Sequence, residues 1–180
     1  NAGVESFNTV QEVAYYLRFN REIRPDHVIL TFHLNDFEST PIAFFNGDGQ
    51  LVVYAPHTPL RQISRGLFEH SYIYRWIIGR TLDRQHAYVK TTKEIHDALQ
   101  RLKEALALNH TSLTVLVLPM FCPLDQWNEK ERTAHKTILE VLDNLEIRHF
   151  DLYLPFTEAL AEGVPLQERP GDKHHPSHEL

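Results

Sequence analysis

The residues best suited to chemistry lie near the C-terminus, in the run Gly171-Asp172-Lys173-His174-His175-Pro176. Asp172 and His175 are three residues apart, so one short turn can aim the carboxylate at the imidazole. A carboxylate in that position fixes the tautomer of the ring and stabilises the imidazolium that forms when the ring accepts a proton. The spacing predicts a general base, His175, and its orienting acid, Asp172. Taken alone, the two residues also fit an ordinary exposed loop.

Two further segments place polar residues at predicted element boundaries. Asn35-Asp36 follows the apolar run 28–32, and Asn1-Ala2-Gly3-Val4-Glu5-Ser6 precedes the first predicted helix. Loops at the carboxyl ends of parallel strands share one edge of the sheet, so we expect these segments to converge with the Asp172 loop. The alternative is purely structural, because Asn and Asp favour caps and turns.

The order and character of the three segments resemble the SGNH (GDSL-type) hydrolase family of esterases and acylhydrolases. The resemblance implies an α/β fold, a three-layer α/β/α sandwich with a flavodoxin-like parallel sheet, and a Ser-His-Asp triad. It assigns His175 and Asp172 to the triad, and the Asn35 side chain to the oxyanion hole. The loop that Asn1 and Gly3 begin would add a backbone N–H at Ser6.

The chain departs from the family pattern at several positions. His33 and Ser6 stand where the family often has glycine. The resemblance places the nucleophilic serine upstream of Asn1, on a first strand that this chain lacks, and a closing helix beyond Leu180. We therefore expect a single truncated domain over residues 1–180 that has no esterase turnover on its own. No cofactor and no metal are implied.

Other interpretations stay open from the sequence. The second hypothesis is a non-catalytic binding module that keeps the fold and has lost the serine. A metal-dependent hydrolase is the third hypothesis, because imidazole and carboxylate groups crowd the C-terminus (Asp172, His174, His175, His178 and Glu179). Ser6 lacks a nucleophile motif, and Cys122 is expected to be a structural thiol rather than a nucleophile.

Composition narrows the partners. The 180 residues carry a net charge of −6 and no lysine/arginine block, which gives no electrostatic reason to expect nucleic-acid binding. The single cysteine excludes an internal disulfide, and no apolar run is long enough to cross a bilayer. We expect a small-molecule, carbohydrate or lipid ester as substrate. The resemblance favours an extracytoplasmic location, and the oligomeric state stays open.

The predicted elements alternate between helix and strand, which is typical of a parallel α/β domain. Capping boxes at Thr9, Thr91 and Asn128 predict the starts of three helices. The last two have predicted apolar faces, formed by Ile95, Leu99, Leu102 and Leu106 on one and by Ala134, Ile138, Val141, Leu142 and Leu145 on the other. The runs 28–32 and 113–118 predict strands buried on both faces, and 149–152 predicts a short one. A short helix is expected over residues 155–161.

An insertion is predicted over about residues 41–82. Residues 43–45 and 51–54 alternate around Asn46-Gly47-Asp48-Gly49, which predicts a hairpin. The aromatic stretch that follows predicts one or two helices. Their predicted buried side consists of Leu67, Phe68, Tyr72, Ile73, Trp76 and Ile77. Core packing is the plain interpretation of this stretch; a wall of an acyl- or sugar-binding pocket is the functional one.

Overall fold

The structure is a computed structural model that describes residues 7–37, 42–45, 51–54, 65–74, 76, 84–169 and 171–173. Its strands are β1 (His27–His33), β2 (Ile42–Phe45), β3 (Leu51–Tyr54), β4 (Ser112–Leu118) and β5 (Arg148–Asp151). Its helices are α1 (Thr9–Tyr15), α2 (Arg65–His70), α3 (Arg84–Ala107), α4 (Glu129–Asn144) and α5 (Tyr153–Ala161). Two compact units result, Asn1–Phe37 with Ile95–Leu180, and Glu38–Glu94.

The first unit is built on a parallel sheet with the order β1-β4-β5. In the β1–β4 register, Leu30 faces Val115 and Phe32 faces Val117. These four side chains are at most 9% exposed and form one buried face. All three strands run in one direction, so their carboxyl ends lie at one edge. The predicted mixed α/β fold, with helices beside a parallel sheet, is confirmed.

The burial predicted for β1 is wrong on one face. Ile29 is 61% exposed and Thr31 is also exposed, whereas β4 is largely buried. Within the described residues β1 pairs with β4 alone, which makes it an edge strand of this sheet. A continuous apolar run therefore predicted the strand correctly but could not show how many of its sides are covered.

The caps of α1 and α4 show both the success and the limit of local sequence signals. Asn128 caps α4 as predicted. Its Oδ1 accepts from the backbone N–H of Glu131, and the Glu131 side chain accepts from the backbone N–H of Asn128. At α1 the predicted cap Thr9 is wrong, because Asn8 makes the reciprocal pair with Gln11. The Thr9 hydroxyl instead donates to Asp36, a partner distant in sequence.

Helices α3 and α4 bury the predicted apolar faces. The buried side chains are Ile95, Leu99, Leu102 and Leu106 on α3, and Ala134, Ile138, Val141 and Leu142 on α4. Lys103 Nζ donates to the carbonyl of Leu145 at 2.6 Å, so the two helices lie side by side near these ends. The predicted start at Thr91 is wrong, since α3 begins at Arg84. Threonine costs a helix only a few tenths of a kcal/mol, so a cap-like sequence does not have to end one.

The second unit contains the predicted hairpin. Strands β2 and β3 pair antiparallel, with Ile42 opposite Tyr54 and Phe45 opposite Leu51; the turn lies outside the described residues. Helix α2 confirms a helical segment, but the predicted buried side is wrong where it can be examined. Four of its members are exposed: Leu67 53%, Tyr72 74%, Ile73 69% and Trp76 52%. Apolar periodicity indicates a helix face without showing what covers it. None of the described helices has the length and apolarity needed to cross a membrane.

Candidate active site

The Asn35 turn begins where β1 ends. Residues Leu34–Phe37 form one turn of 3-10 helix that exposes Asn35 and buries its two following neighbours. Nδ1 of His33 lies 2.9 Å from Oδ1 of Asn35, and it accepts the backbone N–H of Asn35 at 3.3 Å when the ring proton is on Nε2. In the tautomer with the proton on Nδ1, the ring donates to the amide oxygen of Asn35. The amide N–H groups of Asn35 then remain available to another acceptor.

His33 stands where the SGNH family often has glycine, and its ring contacts the Asn35 side chain. A glycine at this position would have no ring to contact the Asn35 carboxamide. The imidazole of His33 also packs against Phe121, with ring centroids 5.6 Å apart. The side chain at position 33 therefore holds the Asn35 turn from one side.

Asp36 holds the same turn from the protein interior. Its Oδ2 accepts from the Thr9 hydroxyl at 2.8 Å and from the backbone N–H of His33 at 3.3 Å. Burial raises the pKa of Asp36 to about 7, with a smaller contribution from Glu12, while the hydrogen bonds from Thr9 and His33 oppose the rise. A protonated carboxyl can still accept both bonds on Oδ2 if its proton is on Oδ1. Asp36 therefore links the start of α1 to the end of β1.

Phe121 links the end of β1 to the loop that carries Asp172. The backbone N–H of Phe121 donates to the carbonyl of Lys173 at 3.0 Å. The ring of Phe121 is 1% exposed and contacts His33, as described above. The Lys173 side chain adds a bond to the carbonyl of Gln126 and lies 3.7 Å from Glu131. Three successive contacts, Lys173 with Phe121, Phe121 with His33 and His33 with Asn35, thereby join the C-terminal loop to the Asn35 turn.

The turn before Asp172 depends on glycine. Gly171 has φ +88°, in the left-handed region that side chains rarely adopt, and its N–H donates to Oε1 of Gln167. The N–H of Asp172 donates to the carbonyl of Arg169 at 3.0 Å, and Asp172 is half-buried. The structure thus gives Asp172 a defined backbone position at the end of a tight turn.

The predicted site residues divide into two groups. Asn35 and Asp172 lie on segments that the described contacts bring to the same edge of the sheet. His175, Gly3 and Ser6, with Asn1, lie outside the described residues, so their roles stay predictions. The segment that contains Gly3 and Ser6 leads into Asn8 and Thr9, and Thr9 is bonded to Asp36.

One aspartate–histidine pair was missed by sequence reasoning. Nε2 of His135, on α4, lies 3.0 Å from Oδ1 of Asp151 at the end of β5, and Asp151 also accepts from the N–H of Tyr153. The His135 ring packs against Trp127 at 5.5 Å and against Tyr153 at 5.9 Å. No motif joins residues 135 and 151, because His135 lies in the first half of α4 and Asp151 is the last residue of β5.

The described residues bear on the possible roles of Cys122 and of a metal ion. Cys122 is 4% exposed, and burial raises the pKa of its thiol, which disfavours the thiolate a nucleophile needs. Among the described residues no group of three or more His, Cys, Asp or Glu side chains is arranged to hold a metal ion. The C-terminal histidine cluster itself, residues 174–178, lies outside them.

Comparisons of this chain with protein-family models, with curated proteins and with solved structures find no match.

Proposed function

We propose that this chain forms part of the catalytic domain of a serine ester hydrolase of the esterase, lipase or O-deacetylase type. Its triad consists of Asp172, His175 and a serine encoded upstream of Asn1. The Asn35 side chain and the backbone around Gly3 and Ser6 form the oxyanion hole. The fold that belongs to this proposal is a three-layer α/β/α sandwich of flavodoxin type, with a further strand beside β1.

The convergence of the Asn35 turn and the Asp172 loop at one edge of the sheet is the observation that supports the proposal. Thr9 bonds Asp36 at 2.8 Å, which ties the start of α1 to the Asn35 turn. Phe121 bonds Lys173 and contacts His33, which ties the Asp172 loop to the same turn. Segments separated by more than a hundred residues are thus anchored around one strand end.

In the proposed reaction the serine Oγ attacks the acyl carbonyl while His175 accepts its proton. Asp172 stabilises the imidazolium, and the Asn35 amide donates to the developing oxyanion. Collapse of the tetrahedral intermediate breaks the ester bond, and the leaving alcohol takes the proton from His175. Water then attacks the acyl-enzyme by the same route, which releases the acid and restores the serine.

The test is hydrolysis of p-nitrophenyl acetate by the full-length gene product and by its His175→Ala variant. We expect turnover that His175→Ala abolishes and that EDTA leaves unchanged, whereas residues 1–180 alone show no meaningful turnover. Turnover that persists in His175→Ala would contradict the assigned base. Loss of turnover with EDTA would favour the metal-dependent hypothesis, and a gene without an upstream serine would favour the binding module.

A further inference from the structure

An apolar cavity of about 370 Å³ lies beside the loop that carries Asp172. We call it the rim cavity. Its apolar lining consists of Phe121, Cys122, Pro123, Leu160, Pro165 and Leu166, and two glutamines, Gln126 and Gln167, complete it. A smaller cavity of about 90 Å³ shares Cys122, Pro123, Leu160 and Leu166 with it and extends to Phe156.

Two wall residues of the rim cavity contact the loop that carries Asp172. Phe121 forms part of the wall, bonds the backbone of Lys173 and contacts the ring of His33. Gln126, another wall residue, accepts a hydrogen bond from the Lys173 side chain through its backbone carbonyl. The rim cavity therefore lies beside the Asp172 loop.

The lining selects for an uncharged, aliphatic ligand. None of the described side chains that line either cavity is acidic or basic, so they offer no charged partner to a phosphate, carboxylate or ammonium group that leaves water there. Carbohydrate hydroxyls would find only the two glutamines and a few other polar groups. Hydrocarbon, in contrast, gains from every methylene that leaves water.

We propose that the rim cavity binds the acyl chain of the ester substrate. This inference rests on the proposed function and adds its substrate class: esters of medium-chain aliphatic acids, in preference to acetyl esters. At about 30 Å³ for a water-sized group, the cavity has room for on the order of ten such groups. That is the size of a medium-length acyl chain, and it lies at the lower end of ordinary ligand pockets.

The experiment measures kcat/KM of the full-length gene product for p-nitrophenyl esters from acetate to dodecanoate. We expect kcat/KM to rise about fourfold for each methylene that enters the cavity, and to stop rising near the octanoate or decanoate ester. Leu160→Trp fills the cavity and is expected to lower the octanoate-to-acetate ratio at least tenfold. Leu160→Ala enlarges it and is expected to move the preferred length upward.

The matched control is Leu154→Trp. Leu154 belongs to the same helix, α5, is 66% exposed and lines neither cavity, so the octanoate-to-acetate ratio is expected to stay at its original value. Circular dichroism checks that each variant folds. An equal ratio in Leu160→Trp and Leu154→Trp, together with an unchanged preferred length in Leu160→Ala, would overturn the proposal.

Calorimetric titration with octan-1-ol separates this proposal from the esterase itself. Saturable binding that Leu160→Trp removes and Leu154→Trp retains supports an aliphatic-chain site even if no ester is hydrolysed, in which case the proposed function fails alone. Acetate hydrolysis without octanol binding, and without any effect of position 160 on chain length, overturns the cavity proposal and leaves the esterase standing.

Discussion

The Asp151–His135 pair and the Asp172–His175 motif combine the same two chemical groups in very different surroundings. His135 comes from a helix and Asp151 from a strand end, and the ring is enclosed by Trp127 and Tyr153, with 17% of the side chain exposed. Asp172 lies on a tight loop that Phe121 ties to the Asn35 turn. What distinguishes a candidate catalytic pair is a neighbouring donor for the oxyanion and space for a substrate.

The largest expected effect tests the difference between the two Asp–His pairs directly. We expect His175→Ala to lower kcat of the full-length gene product by about 10⁴- to 10⁶-fold, because a triad without its base keeps only binding and oxyanion effects. His135→Ala is expected to leave kcat within a few-fold and to lower the free energy of unfolding by about 1–3 kcal/mol, since it leaves the half-buried Asp151 without its side-chain partner. Steady-state kinetics and urea unfolding measure the two effects. The reverse result would transfer the catalytic assignment to His135.

The next effect concerns Asn35, the oxyanion donor that the proposed function assigns to the site of Asp172 and His175. We expect Asn35→Ala to lower kcat by about 10²- to 10³-fold with little change in KM, because the lost hydrogen bond forms only to the oxyanion of the transition state. Asn128→Ala is the matched control: the same substitution removes a helix cap and is expected to cost about 1 kcal/mol of stability without affecting kcat. An equal loss of kcat in both variants would mean that Asn35 acts only through folding.

A third prediction uses the protonation of Asp36. Its pKa of about 7 in the folded protein lies above the ordinary value of 3.8, so the folded state holds a proton that the unfolded state has lost between these two values. Rising pH over that window therefore destabilises the protein, by up to about 1.4 kcal/mol per pH unit and roughly 4 kcal/mol in all. Above pH 7 the contribution no longer changes.

Asp36→Asn isolates this contribution, because the amide oxygen can accept the same two hydrogen bonds without titrating. We expect the stability of the wild type relative to Asp36→Asn to fall from pH 4 to pH 7, as measured by urea unfolding. Glu12, whose pKa burial also raises, is present in both proteins, so the effect of its own burial cancels in this difference, whereas its charge interaction with Asp36 is part of what the difference measures. Asp36→Ala, which removes both bonds, is expected to be less stable than Asp36→Asn by about 2 kcal/mol at every pH. A difference between wild type and Asp36→Asn that is independent of pH would show that Asp36 ionises normally.

The sequence predicted the parts of this molecule whose causes are local. The Asn128 cap, the apolar faces of α3 and α4 and the β2–β3 hairpin all depend on residues within a few positions of one another. The failures share a different cause. The Thr9 hydroxyl donates to Asp36, 27 residues along the chain. Ile29 and Trp76 are exposed, because an apolar run or a helical spacing does not show whether another element covers that face.

The candidate site shows the same division. The Asp172-x-x-His175 spacing and the Asn35-Asp36 pair are visible in the sequence because each lies on one loop. The contact of His33 with Phe121 and the bond of Phe121 to Lys173 join residues 33, 121 and 173, and no local pattern marks them. The His135–Asp151 pair was missed for the same reason. A comparison of short motifs therefore points to candidate reacting groups more readily than to the residues that hold those groups in position.

The smallest predicted effect concerns one such holding residue, His33. If its ring orients the Asn35 carboxamide, His33→Ala should lower kcat about fivefold and leave KM unchanged, because a misaligned donor weakens only the transition-state contact. His33→Asn places an amide near the position of the imidazole Nδ1 and is expected to restore most of the lost rate. In the Asn35→Ala background, substitution of His33 should have no further effect on kcat, since the group it orients is gone. Additive losses in the double variant would instead show that His33 acts independently of Asn35. The difference proposed between the Asp172–His175 motif and the Asp151–His135 pair would then depend on the Asn35 donor alone.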